Sequence, residues 1–223
     1  MFDQGALDAI VKAAVKDRLV DYGVVEKHRA ALDKYLDAVA RADTGALGGD
    51  DARLAFYVDA YNARVLRSFL AHGKKRVVDV HGFFDGDKER VAGEDMTLNE
   101  LEERKIRRLG AQGIAKDARV HFVVNCASRD CPPLAPFAYT NQDIAQALED
   151  RTRAYLTRPG ECVVDEAQRR VVVVQLFEWY ASDFAGEGGV RRFIAKYVPA
   201  LQAKLLDEHF DLDYRPYDWS PNA

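Results

Sequence analysis

The densest chemistry in this chain lies in one string, His121-Phe-Val-Val-Asn125-Cys126-Ala-Ser128-Arg129-Asp130-Cys131-Pro132-Pro133-Leu134. A cysteine that leaves a strand end into a polar loop is placed where a thiol can be exposed and activated as a nucleophile. A lone cysteine carries little weight, because free thiols also pack as small hydrophobes. Here His121, Asn125, Ser128 and Arg129 surround it. Val120, Phe122 and Val124 alternate with His121, Val123 and Asn125, which reads as a strand running into the loop Cys126–Leu134. On such a strand His121 and Cys126 point to opposite faces, about 16–17 Å apart. A base for Cys126 is then expected from elsewhere, unless the backbone bends sharply. His28, His72, His81 and His209 show no spacing that points to the thiol. Cys126 and Cys131 enclose four residues, the upper edge of zinc-ligand spacing, yet no second Cys/His pair follows. Neither a metal nor a cofactor is expected.

Two further polar residues interrupt apolar helical faces. Asn62 stands four residues from both Val58 and Leu66, and Glu102 stands likewise between Leu98 and Ile106. A helix turns both inward. A buried polar group without partners costs about 1–3 kcal/mol, so one shared network joining Asn62, Glu102 and His121 is the economical expectation. Such a network either pins helices to the strand or shapes a site. Tyr61, Trp179, Tyr180, Tyr217 and Trp219 are candidates for a pocket wall or for core. Arg64 and Arg129 suit an anionic group or surface ion pairs.

The elements that must hold these residues follow from periodicity. Leu7, Ile10, Val11 and Ala14 mark a first helix; Val25, Leu32, Leu36 and Val39 mark a second, ending near Asp43-Thr44-Gly45. A third runs from about Asp51 to His72, with Leu54, Val58, Tyr61, Val65 and Phe69 inward and Gly73 as its stop. Lys88–Val91 and Met96 flank Ala92-Gly93-Glu94-Asp95 as a hairpin-like turn. Thr97-Leu98-Asn99-Glu100 is a capping box opening a helix to about Arg108. A helix near Asn141–Leu156, strands near Cys162–Val164 and Arg170–Val174, and helices near Leu176–Phe184 and Val190–Tyr197 lead into an irregular tail. Helices mixed with short hairpins, without regular βα alternation, predict an α+β fold with helices around a small sheet.

No repeat or linker divides the chain, so residues 1–223 read as one domain. The 36 acids and 32 bases are interspersed, with net charge −4, and no basic block marks a nucleic-acid or anionic-membrane surface. No apolar run approaches the roughly 18 residues of a membrane span, and no signal peptide is legible at the start. The chain as given therefore reads as cytoplasmic, or as exported if a signal peptide has been trimmed. Three cysteines are too few for a disulfide scaffold; Cys126 and Cys131 could pair in an oxidising compartment.

The chain resembles, along nearly its whole length, the bacterial and plant family known as domain of unknown function 547. The matching pieces are Val20-Asp21-Tyr22, Phe56–Ala63, the hairpin with Leu98–Arg107, and His121–Leu134. Phe177-Glu178-Trp179-Tyr180 with Asp183-Phe184, and Tyr217-Asp218-Trp219-Ser220, complete the likeness. The resemblance implies a compact α+β domain whose characteristic polar residues correspond to Asn62, Glu102, His121, Asn125, Cys126 and Cys131. It also shows departures: relatives usually carry Glu-His at Glu102-Glu103, Trp at Tyr57, Asn at Asp59 and Ser at Gln175. Two functions are expected to compete. One is a cysteine-dependent hydrolase or acyl transferase acting on a small molecule or peptide, with nucleophile Cys126. Amides near Ala127 and Ser128 would form its oxyanion hole, and Asn125, His121 and Glu102 would orient the site. The other is a non-catalytic ligand-binding or protein-interaction domain, in which Asn62, Ser128, Arg129 and Cys131 line the same polar cluster.

Overall fold

The computed structural model describes residues 2–108 and 117–223. The chain starts with α1 (Gly5–Ala14), a minimal hairpin of β1 (Val15–Lys16) and β2 (Leu19–Val20), α2 (Tyr22–Lys27) and α3 (Arg29–Arg41). The single second helix expected from Val25–Val39 is thus two. His28 breaks it, because its ring Nδ1 lies 2.9 Å from the Val24 carbonyl oxygen and its backbone leaves helical geometry. The long helix α4 (Asp50–Ala71) crosses the molecule, and residues 54–66 are buried on every side. It stops where Gly73 takes φ +68°, the left-handed conformation that closes a helix without a Cβ clash.

Next come β3 (Glu89–Val91) and β4 (Glu94–Met96), joined by a two-residue turn in which Ala92 and Gly93 both take positive φ. The expected four-residue turn is shorter because this mirror-image turn matches the twist of paired strands. The capping box then forms as expected. Thr97 Oγ1 accepts from the Glu100 amide (3.1 Å) and Glu100 Oε2 accepts from the Thr97 amide (2.9 Å), opening α5 (Leu98–Leu101). From Glu102 to Arg107 the helix widens to a π-helix. The wider turn brings residues five apart, Leu101 and Ile106, onto the buried face. Glu102 rotates off the Leu98–Ile106 stripe and is half-buried, rather than in the core.

The strand expected at Val120–Asn125 does not exist. Ala118–Phe122 is a 3₁₀ turn, capped by the Asp117 side chain on the Arg119 amide (2.9 Å), and Val123–Cys126 follows as irregular chain. Residues 120–125 are all buried, so the alternation of residue type has no exposed side to report.

After α6 (Ile144–Leu156), β5 (Cys162–Asp165) pairs antiparallel with β6 (Arg170–Val174). The chain then runs through α7 (Leu176–Trp179), a 3₁₀ turn at Ala181–Glu187, α8 (Val190–Tyr197) and α9 (Gln202–Leu206). The C-terminal stretch is not an irregular tail: β7 (Asp211–Arg215) lies parallel to β6 and completes the sheet β5-β6-β7. The architecture is α+β, with helices around small two- and three-stranded sheets.

Two hydrophobic clusters organise the described residues. One gathers α1–α6 and includes Val123, Val124 and Leu134; the other gathers β6, α7, α8 and the C-terminal residues, with Phe122 and Tyr155. Phe122 and Val123 belong to opposite clusters, so the segment carrying the candidate site threads the seam between them. None of the described helices is long and apolar enough to cross a membrane.

Candidate functional site

The seam is held open by polar clamps. The Asn62 side chain, inward on α4, donates from Nδ2 to the Val123 carbonyl (3.0 Å) and accepts at Oδ1 from the Asn125 amide (2.9 Å). One side-chain amide thereby stands in for the neighbouring strand that this segment lacks. Asn125 does the same one step on. Its Oδ1 accepts from the Ala127 amide (3.0 Å) and from Asn222 Nδ2 (3.2 Å), and its Nδ2 donates to the Pro132 carbonyl (2.8 Å). These bonds hold Ala127 at φ +62°, a left-handed conformation costly for a residue with a Cβ. The sharp turn that results carries Cys126 to a cavity of about 290 Å³.

The Cys126 thiol is half-buried, with Ser128 Oγ and Tyr217 Oη each 3.4 Å from Sγ. Its amide donates to Cys131 Sγ (2.8 Å). Burial alone would push the thiol pKa up; hydrogen bonds with Cys131, Ser128 and Tyr217, joined by the Ser128 amide, outweigh it and hold the thiol below its usual value. Cys131 is buried, and that burial beside Cys126 drives its thiol well above the usual range. Cys162, on β5, is pushed up to about 12 by burial. All three thiols are free.

His121 reaches the same cavity, because the 3₁₀ turn replaces the extended geometry that would have separated it from Cys126. It does not bond to the sulfur. Its Nε2 lies 2.8 Å from Asp183 Oδ2, which leaves Nδ1 as the uncommitted nitrogen, and its ring centroid is 4.2 Å from that of Tyr180. Asp183 is itself gripped by Arg107, through Nε (2.7 Å) and Nη2 (2.9 Å). Burial works against its charge, yet His121 and Arg107 together hold its carboxyl well below the usual carboxylate range. Arg107 also pairs with Glu103. Glu102 lines the cavity and accepts a hydrogen bond from Tyr180 Oη (3.1 Å).

The expected single network is therefore three separate ones. Asn62 serves the backbone at Val123 and Asn125, Glu102 pairs with Tyr180, and His121 pairs with Asp183. Of the residues expected at the site, Cys126, Cys131, His121 and Glu102 line the cavity, as do Tyr61, Trp179, Tyr180, Tyr217 and Trp219. Asn62, Asn125 and Ser128 lie behind it as supports. Arg129 faces away, beside Lys16, Arg18 and Asp218 in a different surface cleft. Arg64 is buried under the β3–β4 hairpin, donating to the Met96 carbonyl (3.0 Å) and pairing with Glu89 (3.3 Å). The Ala127 amide, expected in an oxyanion hole, is spent on Asn125. Asp183, Asn222 and the Asp130–Arg215 pair join the site from positions that no periodicity or spacing marks in the sequence. The Asp183-Phe184 motif was the available signal for the first. Among the described residues no cluster of His, Cys, Asp and Glu could hold a metal ion.

Fold and site together define an α+β protein with a paired-thiol loop at an aromatic cavity. Comparison with known families places it: residues 46–156 match the model described as protein of unknown function, DUF547, and the chain carries a domain of that family over this span. The matched span includes Asn62, Glu102, His121, Asn125, Cys126 and Cys131, whereas Asp183 and Tyr217 lie beyond it. Comparisons with curated proteins and with solved structures find no match.

Proposed function

We propose that this cavity performs cysteine-dependent acyl chemistry, as a hydrolase or acyl transferase acting on a small molecule or peptide. The observation that carries the reading is a half-buried thiol, held below its usual pKa, in a cavity shared with a histidine whose far nitrogen is bonded to a buried aspartate. In the proposed reaction the Cys126 sulfur attacks an acyl carbonyl, forming a carbon–sulfur bond. His121 Nδ1 takes up the proton that the thiol gives up and passes it to the leaving group, which departs as the carbonyl re-forms. Water or an acceptor then attacks the thioester and releases the thiol. Asp183 fixes the tautomer that keeps Nδ1 free, and the Tyr217 hydroxyl is placed to donate to developing oxyanion charge. Glu103 then acts at one remove, through Arg107 on Asp183. A competing reading, a ligand-binding module without turnover, draws on the fact that His121 makes no hydrogen bond to the sulfur.

Thiol labelling across a pH series, read by mass spectrometry on the native protein, is the first measurement. Cys126 should alkylate before Cys131 and Cys162, with an apparent pKa below the unperturbed ~8.5. An activated ester should then acylate Cys126, and His121→Ala should slow that step by about a hundredfold. If Cys126 labels no faster than Cys162, or Cys126→Ser turns over the ester as fast as the parent, the acyl reading is lost and the binding module stands.

A further inference from the structure

Six aromatic rings, Tyr61, Phe84, Trp179, Tyr180, Tyr217 and Trp219, line the thiol cavity. Trp179 and Trp219 stack with centroids 5.6 Å apart, and Tyr217 packs against both at 5.0 and 4.5 Å. Trp179 is 44% exposed although it is large and apolar, so a wide aromatic surface stands open at this wall. Glu102 brings the one carboxylate of the described wall; no lysine or arginine lines it, although Arg107, paired with Asp183 and Glu103, lies over the Tyr180 ring at 4.8 Å and leaves the other rings to a ligand. Burial and the neighbouring Glu102 drive the Tyr180 phenol far above its usual pKa, so it stays a proton donor to that carboxylate and adds no negative charge of its own.

Aromatic faces carry negative electrostatic potential and attract organic cations, most of all quaternary and alkylated ammonium groups. A carboxylate set among such faces adds direct charge complementarity, while an anion would meet repulsion from both. We infer that the cavity recognises an organic ammonium group, seated on the aromatic wall and directed by Glu102. Its catalytic sense rests on the acyl reading above: the substrate would be an acyl compound bearing such a cation. Binding of the head group needs no thiol chemistry.

Both tryptophans of the chain line the cavity, so intrinsic fluorescence reports its occupancy directly. The test titrates the Cys126→Ser protein with choline and with 3,3-dimethyl-1-butanol, a neutral molecule of the same shape. Butyrate and methyl glucoside serve as anionic and saccharide probes, at matched ionic strength and with N-acetyl-tryptophanamide as quenching control. Choline should saturate the signal at least about tenfold more tightly than its neutral counterpart, and butyrate should not compete. Glu102→Gln, which keeps an acceptor for Tyr180, should erase most of that preference. Equal affinity for the neutral isostere, preference for the saccharide, or no saturable response to choline overturns the inference. The comparison of charged and neutral probes needs no wall variant to fold. Because the sulfur is absent, loss of the acyl reading leaves this result intact, and loss of ammonium binding leaves acylation of Cys126 to be judged separately.

Discussion

Asp59 shows how one side chain couples the fold to solution conditions. It is buried on α4, and its Oδ2 accepts from the Tyr139 amide at 2.9 Å. Burial drives its carboxyl well above the usual range; the Tyr139 amide pulls it down, and Asp143 and Asp8 push it further up. The unfolded chain releases this proton near pH ~3.9, whereas the folded chain keeps it. Between the two pKa values the native state holds the extra proton, so stability falls as pH rises through that window. Asparagine keeps the acceptor and has no charge to bury. Asp59→Asn should therefore gain stability over the parent in urea, and the gain should widen from about pH 5 to about pH 8, reaching on the order of 1 kcal/mol or more. A constant difference across that range would show that Asp59 exchanges no proton on folding.

At the level of elements, the turn Ala118–Cys126 owes its shape to another helix. Asn62 on α4 provides both backbone bonds that a strand partner would have provided, to the Val123 carbonyl and the Asn125 amide. Asn62→Ala should leave both groups buried and unpaired, costing about 2–4 kcal/mol in a urea unfolding curve. Asn99→Ala, exposed at the cavity rim, should stay within about 0.5 kcal/mol. The same Asn62 variant should make Cys126 alkylation less selective over Cys131, because Cys131 is shielded by the loop those bonds hold. An unchanged midpoint would mean that the turn finds its shape without α4. The neighbouring π-helix is the other local decision of consequence, since it turns Glu102 from the core stripe to the cavity wall.

The whole molecule is closed by its C-terminal residues. Strand β7 ends at Arg215, whose guanidinium meets Asp130 in the thiol loop and Glu161 (2.9 Å) before β5. Beyond it, the Arg129 amide donates to the Ser220 carbonyl (2.8 Å) and the Asn222 amide to the Ala127 carbonyl (3.2 Å). The Val20 amide also donates to the Asn222 carbonyl (2.8 Å), so the end of the chain straps the loop to both halves. Asp130 and Glu161 are 6% and 3% exposed; without their shared cation Asp130 keeps the Asp218 amide (2.6 Å) and Glu161 keeps only the longer pairings with Arg158 (3.7 Å) and Arg18 (3.8 Å). Arg215→Ala should lose about 3 kcal/mol in a urea unfolding curve. Arg215→Met, which keeps an apolar stem without the charge, should lose nearly as much; a Met variant as stable as the parent would assign the loss to packing of the arginine stem instead.

Short-range physics made much of this protein legible in its amino-acid order. The amphipathic periods of α1, α6 and α8, the Thr97–Glu100 capping box and the hairpin at Ala92-Gly93 all depend on neighbours within a turn or two. The thiol-bearing string also stood out, because a dense run of polar residue types needs no fold to be noticed. Only the tertiary structure decided what those residues touch. Asp183 reaches His121 across 62 positions, and Tyr217 reaches Cys126 across 91. It also decided that residues 120–125 turn rather than extend, and that residues 211–215 pair with β6. The reason is the same in each case. Periodicity records burial only where one side of an element meets water, and a segment enclosed on all sides takes its conformation from the polar groups that the rest of the chain brings to it.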